Sequence, residues 1–198
     1  MDFIRLKEKR YAGGARNEGI DYPIDSEYTW FIDSDDWLYD ENVLKRIYDT
    51  ATNNDFPDLI TCSFQRIKMK SNEKIFETIH ESDNFYSIIR RGFAPWRFCY
   101  RSSIKCRFTE NVVAVDDIIH ALELFDEIDE KKISTIYEPC YCYNQLSENS
   151  YWNLCTDKNK LKKRKESSEH VIDILSNKKF HNDFIQKFVD EKFPTARK

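Results

Sequence analysis

Tyr28-Thr29-Trp30-Phe31-Ile32-Asp33-Ser34-Asp35-Asp36-Trp37-Leu38 runs from five largely aromatic and β-branched residues straight into three carboxylates within four positions. The composition and length of the first five residues predict a buried strand. The carboxylates then lie where that strand leaves the sheet, and open α/β sheets place their ligands outside strand ends. Three acids this close repel one another, and burying them unpaired is costly, so a divalent ion is the natural counter-charge. An acidic turn that caps the next helix, with Asp36 or Asp40 at its start, would use the same residues. The apolar run in front of them favours a site.

The rest of the composition is that of one globular domain. With 198 residues, 40% of them hydrophobic and 33% charged, the chain can bury a real core and does not read as disordered. Four glycines and five prolines favour long regular elements over loops. A net charge of −4 gives no global electrostatic case for nucleic-acid binding. No stretch approaches the ~20 apolar residues of a membrane helix. Met1–Arg10 is charged throughout and does not resemble a signal peptide, so the expected location is the cytoplasm. Cys62, Cys99, Cys106, Cys140, Cys142 and Cys155 form no Cys-x-x-Cys pair and have no paired histidines, which argues against structural zinc and for packed, reduced thiols.

Upstream of the acid stretch lies Tyr11-Ala12-Gly13-Gly14-Ala15-Arg16-Asn17-Glu18-Gly19-Ile20, which holds three of the four glycines. Gly13-Gly14 would let a backbone approach a ligand closely, and Arg16 offers a planar fork for phosphate. A loop entering a helix, with Arg16 as a surface charge, is the simpler reading of these residues alone. Downstream, Glu41–Asn53 carries Leu44, Ile47, Tyr48 and Ala51 at helical intervals, with Asp40 as N-cap. Asp58–Met69 and Lys74–Ile79 predict a hairpin, and Asp83–Arg91 a short helix ended by Gly92. In Ala94–Ile104, a strand would put Trp96, Phe98 and Tyr100 on one face and Arg97 and Arg101 on the other. Trp96 could then stack on a sugar and Arg97 or Arg101 hold a phosphate, though core packing with snorkelling arginines fits as well.

A second acid pair follows an apolar run in Val112-Val113-Ala114-Val115-Asp116-Asp117-Ile118-Ile119-His120. Asp116 reads as an N-cap and Asp117 as a first-turn residue of a helix reaching about Asp129. An exposed carboxylate pair there suits a general base. Lys132–Tyr137 and Cys140–Tyr143 predict strands separated by Pro139, and Asn144–Ser150 a polar loop. From Asn153 a basic block (Lys158, Lys160, Lys162, Lys163, Arg164, Lys165) precedes two amphipathic helices. Such a patch is a solvated helix face or a peripheral contact with an anionic membrane, at its inner face, or with a protein.

Taken in order, these segments resemble the family 2 glycosyltransferases of the GT-A fold. Gly13–Ile20 is similar to the family's Gly-x-Ala-Arg-Asn-x-Gly-Ile segment and Phe31–Asp36 to its Asp-x-Asp strand end. Val115-Asp116-Asp117 stands where Glu-Asp is usual, and Tyr141–Tyr143 with Asn144 and Ser150 resembles the strand and loop beyond. The resemblance covers roughly Gly13 to Ser150. It implies a metal-dependent, inverting transfer from a nucleotide-sugar donor, a UDP-sugar first, to a hydroxyl on a glycan or lipid-linked acceptor. On that resemblance Asp33 touches the ribose, Asp35 binds Mn²⁺ or Mg²⁺ with Asp36 beside it, and Arg16 and Asn17 shape the nucleotide-sugar pocket. Asp117 is the base, with Asp116 in place of the family's Glu, and Trp96 and Arg97 are acceptor candidates.

The expected architecture is α/β: a truncated GT-A domain over residues 1–150, with a mixed sheet flanked by helices, and a helical, Lys-rich extension over 151–198. Only about a dozen residues precede the Ala-Arg-Asn stretch, so the N-terminal nucleotide-binding strands of the family are expected to be missing, with an open sheet edge that promotes association. Two other classes share the scaffold: a non-catalytic binding module and a nucleotidyltransferase. Retention of Asp33, Asp35 and Asp117 together speaks against the first, and no lysine- and glycine-rich phosphate loop supports the second.

Overall fold

A computed structural model describes residues 4–8, 10–23, 25–71, 73–146 and 158–193. The chain divides into two units, Ser26–Ser103 with Ile128–Leu154, and Met1–Asp25 with Ile104–Glu127 and Cys155–Lys198.

The first of these carries the sheet. Its strands are β1 (Tyr28–Trp30), β2 (Trp37–Leu38), β3 (Leu59–Lys70), β4 (Glu73–Ile79), β5 (Phe98–Arg101) and β6 (Ile133–Asn144), in the order β1-β5-β3-β6-β2 with β4 also on β3. β3 and β6 pair in parallel, and every other pairing is antiparallel, so the sheet is mixed. β3 organises it: Leu59–Thr61 meet β5, Phe64–Lys70 meet β4, and the opposite edge meets β6 from Leu59 to Ile67. Alternation along β3 turns Ile60 and Cys62 to one face, where α2 (Val43–Asn53) supplies Val43, Ile47 and Ala51 at one-turn spacing. Cys99, Ile136 and Cys140 complete that core. Thr61 and Ser63 face the other way, and there the Ser63 hydroxyl accepts the Glu81 N–H at 2.9 Å.

Several expectations need correcting here. The strand before the acids is three residues long and half-buried, and Ile32 is 45% exposed. Its place at the end of the sheet, with only β5 beside it, explains both. α2 begins at Val43 after Asn42, while Asp40 accepts the Asn42 N–H at 2.8 Å and both N–H···O contacts from Arg46 at 3.1 Å. The two strands expected around Pro139 are one strand, β6, whose pairing with β3 slips between Cys62 and Phe64. A bulge there accommodates a residue that has no N–H for the ladder. Pro95–Arg97 form a 3-10 turn, and β5 starts only at Phe98. The β3–β4 hairpin and the helix α3 (Phe85–Arg90) stand where the sequence put them.

The second unit is helical: α1 (Tyr11–Asp21), α4 (Asp117–Glu127), α5 (Lys158–Asn177) and α6 (Asp183–Lys192). The glycine-rich stretch is thus a helix, and its glycines serve packing. A Cβ on Gly13 would lie 2.2 Å from the Thr109 carbonyl oxygen, so the helix meets the 107–110 segment backbone to backbone. α4 buries Ile119, His120, Ala121, Leu122, Leu124 and Phe125. Its Asp126 accepts the His181 and Asn182 N–H groups ahead of α6, and Asn182 caps that helix through Phe184 and Ile185. On α5, Lys162 and Lys165 face Glu166 and Glu169 one turn on, which offsets part of the basic block. Five cysteines are free and buried; Cys155 and Ser150 lie outside the described residues. No helix among the described residues is long and apolar enough to cross a membrane.

Candidate active site

The expected site residues divide between the units. Asp33, Asp35, Asp36, Trp96 and Arg97 belong to the sheet unit, and Arg16, Asn17, Asp116 and Asp117 to the helical unit.

In the sheet unit the chain leaves β1, turns through Asp33–Asp36, where the Asp36 N–H bonds the Asp33 carbonyl at 3.1 Å, and enters β2. Two β6 residues hold this turn. The Tyr141 hydroxyl accepts the Asp33 N–H at 3.1 Å and donates to the Asp36 carboxylate at 2.7 Å. Asn144 donates its N–H to the other Asp36 oxygen at 2.7 Å and its side-chain amide to the Asp35 carbonyl at 3.2 Å. Burial pushes the Asp36 carboxyl up to about 6, against the two hydrogen bonds and with help from the Asp35 and Asp33 charges. Asp36, expected beside the metal, therefore spends both oxygens on fixing the turn. Asp35 is exposed, and its carboxylate has no hydrogen-bond or ion-pair partner among the described residues.

Trp96 and Arg97, expected at the acceptor, are interior. The Trp96 ring is 6% exposed and stacks on Tyr141 at 4.7 Å and 4°, with Tyr143 at 5.2 Å and Phe64 edge-on at 4.7 Å. Its carbonyl accepts the Trp30 indole N–H at 2.7 Å. Trp96 thus fixes the tyrosine that fixes the acid turn. Arg97 is 3% exposed and places two nitrogens on Glu81, at 3.1 and 2.7 Å, with further bonds to the Gly92 and Ile88 carbonyls. Such a guanidinium has no fork left for a ligand. Arg101 pairs with Glu27 at 2.6 Å.

In the helical unit, Arg16 reaches Asp116 at 2.8 Å, both side chains mostly buried. The guanidinium lies 5.1 Å from the centre of the Phe108 ring, which stacks on His120 at 3.8 Å and 10°. Burial holds the His120 imidazole down at about 3, so it is neutral at ordinary pH. Asn17 is 3% exposed and clamps the Phe108 backbone: its amide nitrogen donates to the carbonyl at 3.0 Å and its oxygen accepts the N–H at 2.9 Å. Asn17 also donates to Glu110 at 2.9 Å, so its amide is committed to the 108–110 segment. Gly13, Asn17 and Asp21 share one face of α1, and with Arg10 just ahead of it they all meet residues 107–110. That helical spacing was the signal a loop reading discards. Asp117 opens α4, half-buried, immediately after the paired Asp116.

The family model of glycosyl transferase family 2 matches residues 2–110, more than half of the sequence, and the chain belongs to that family. Among solved structures it is similar to the crystal structure of S. aureus TarS 1-349, with a TM-score of 0.61 and 16% sequence identity, over 94% of this chain and 51% of that one. At this identity the likeness shows the fold, which is the GT-A fold that the resemblance implied. The chain spans about half the length of that structure. No curated protein matches its sequence.

Proposed function

We propose that the chain transfers a sugar from a nucleotide-diphosphate donor to a hydroxyl acceptor, with metal assistance and inversion. One observation carries this reading: a turn of three acids is held from β6, while its Asp35 carboxylate is exposed and, among the described residues, uncommitted. Mg²⁺ and Mn²⁺ suit such a turn, because they take one or two carboxylates and complete their shell with phosphate oxygens and water. Among the described residues no three His, Cys, Asp or Glu side chains form a cage of their own. Asp35 would hold the ion, with Asp36 behind it and Asp33 toward the ribose. When bound, the ion neutralises charge on the departing nucleoside diphosphate.

Asp117 accepts the proton of the acceptor hydroxyl as that oxygen bonds to the anomeric carbon. The bond from that carbon to the diphosphate breaks on the opposite face, which inverts the centre. Asp116, held by Arg16, positions the start of α4. The donor reading favours a UDP-sugar, and the acceptor is a glycan or lipid-linked hydroxyl.

Calorimetric titration of UDP and UDP-sugars, with and without Mn²⁺, tests the reading on wild type and Asp35→Ala. Metal-dependent binding that the substitution abolishes is expected. Binding that is indifferent to Mn²⁺, or equal in both proteins, overturns it.

A further inference from the structure

A cavity of about 480 Å³ opens in the helical unit between residues 110–113 and α5. Its volume lies within the range of small-ligand sites, about 300–1,000 Å³. Tyr11, Glu110, Asn111, Lys163, Glu166 and His170 supply its polar and aromatic surface, above a floor that includes Val112 and Val113. None of these residues takes part in the transfer chemistry described above.

The chemistry of the lining selects a class of ligand. Glu110 is ionised and fixed, because Arg10 bonds both its oxygens at 2.7 and 2.6 Å and Asn17 bonds one at 2.9 Å; the Arg10 bonds hold its carboxyl below the ordinary range. Arg10 pairs with both Glu110 and Glu18, Lys162 faces Glu166, and Lys163 adds a third cation, so three carboxylates and three cations balance around the cavity and neither an anion nor a cation is favoured. What remains is a neutral surface dense in donors and acceptors, with a Tyr11 ring that is 38% exposed. A pyranose has the matching properties: hydroxyls around its rim and an apolar C–H face that lies on an aromatic ring.

The cavity also touches a strained part of the backbone. Tyr11 (φ 54°) and Asn111 (φ 60°), both in the lining, and Val115 (φ 58°) occupy the left-handed region, which a β-branched residue adopts rarely. Such outliers gather at ligand clamps and switch loops. Asn111 and Val115 belong to a loop that closes on itself through the Thr109 N–H and the Asp116 carbonyl at 3.1 Å, and it is tied to α5 by the Val113 N–H on Ser167. A ligand in the cavity therefore sits against the loop that ends at Asp116-Asp117.

We infer that this cavity is a saccharide subsite, which binds a neutral sugar unit of the acceptor and so orders the loop leading to Asp117. The acceptor role rests on the transferase reading; the sugar binding does not. The test titrates neutral methyl hexosides, methyl N-acetylhexosaminides and their disaccharides into the full chain, with amide chemical shifts as readout and methyl phosphate as the charged control. Shifts confined to residues 110–113 and 163–170 are expected, with dissociation constants on the order of 1 mM and no response to methyl phosphate. Glu166→Arg, on the exposed rim, is expected to weaken binding about tenfold or more. Asn111→Gly relieves the left-handed strain, so it should fold at least as well as wild type yet bind sugar more weakly; a purely structural Asn111 would leave binding unchanged.

The inference is overturned if no saccharide shifts these amides at about 50 mM, or if both variants bind as wild type does. UDP with Mn²⁺ is titrated in parallel. UDP binding that depends on Asp35, without saccharide in the cavity, defeats the subsite alone. Saccharide in the cavity without any nucleotide binding defeats the transferase reading and leaves the sugar site standing.

Discussion

Tyr141→Phe removes one oxygen atom and tests the hold on the acid turn. The hydroxyl makes two bonds, accepting from the Asp33 N–H and donating to the Asp36 carboxylate. A neutral hydrogen bond contributes about 1 kcal/mol net and one to a charged group about 1.5–3 kcal/mol. Asp36 is only half-buried, so water replaces part of the loss, and we expect a deficit of about 2 kcal/mol at neutral pH. The ring stays, and with it the stacking on Trp96 at 4.7 Å. As pH falls through about 6 the Asp36 carboxyl takes up a proton and its bond to Tyr141 becomes neutral. The deficit should then shrink toward about 1 kcal/mol. Urea denaturation at about pH 5 and about pH 7.5, with Asp36→Asn completing a double-mutant cycle, reads both effects. Mn²⁺-dependent UDP binding should weaken in the same variant, because Asp35 rides on this turn. A deficit equal at both pH values, together with a coupling under about 0.3 kcal/mol, refutes the reasoning.

Gly13→Ala drives a Cβ to 2.2 Å from the Thr109 carbonyl. It should cost about 1–3 kcal/mol in thermal or urea unfolding, because backbone and not a flexible side chain stands in the way. Glu81→Ala strands the buried Arg97 guanidinium and should cost about 3–5 kcal/mol, with Arg97→Met in the same chain recovering much of it. His120 binds its proton at about 3 when folded against 6.5 ordinarily, so the unfolded chain charges first and stability falls as pH drops from about 6.5 toward 3. At about pH 4.5 the loss reaches about 3 kcal/mol, and His120→Phe, which keeps the stack on Phe108, should flatten that slope. Asp36 runs the opposite way: its folded value lies above 3.8, so ionising it withdraws stability as pH rises from about 4 through 6, and Asp36→Asn should remove that trend.

The parts of the fold legible from sequence were those with local periodicity. Leu44, Ile47, Tyr48 and Ala51 announce the helix, and β3 and β4 announce a hairpin, because each pattern is set by neighbours along the chain. The buried face of that helix is nonetheless Val43, Ile47 and Ala51, and Leu44 and Tyr48 are exposed. Residues 11–21 misled because their glycines read as loop formers, when the requirement was close approach between α1 and the Thr109 backbone, which only the fold reveals. The acids of the site were visible as a cluster, yet their roles were not. Whether Asp36 or Asp35 is the uncommitted carboxylate depends on Tyr141 and Asn144, which stand more than a hundred positions away. Trp96 and Arg97 likewise have the composition of a ligand platform, and only the Tyr141 ring and Glu81 show that both are spent inside.

That separation along the chain has a kinetic consequence. The acid turn is complete as a stretch of sequence by residue 36, but the Tyr141 and Asn144 bonds that fix it span 105 and 108 positions. β6 reaches it by pairing in parallel with β3 and antiparallel with β2, and non-local pairings of this kind close slowly. During synthesis three carboxylates therefore wait in the open until the last strand of the sheet has left the ribosome. In refolding, signals from the β1–β2 turn should mature with those of β6 and after those of the β3–β4 hairpin, which closes across a few residues.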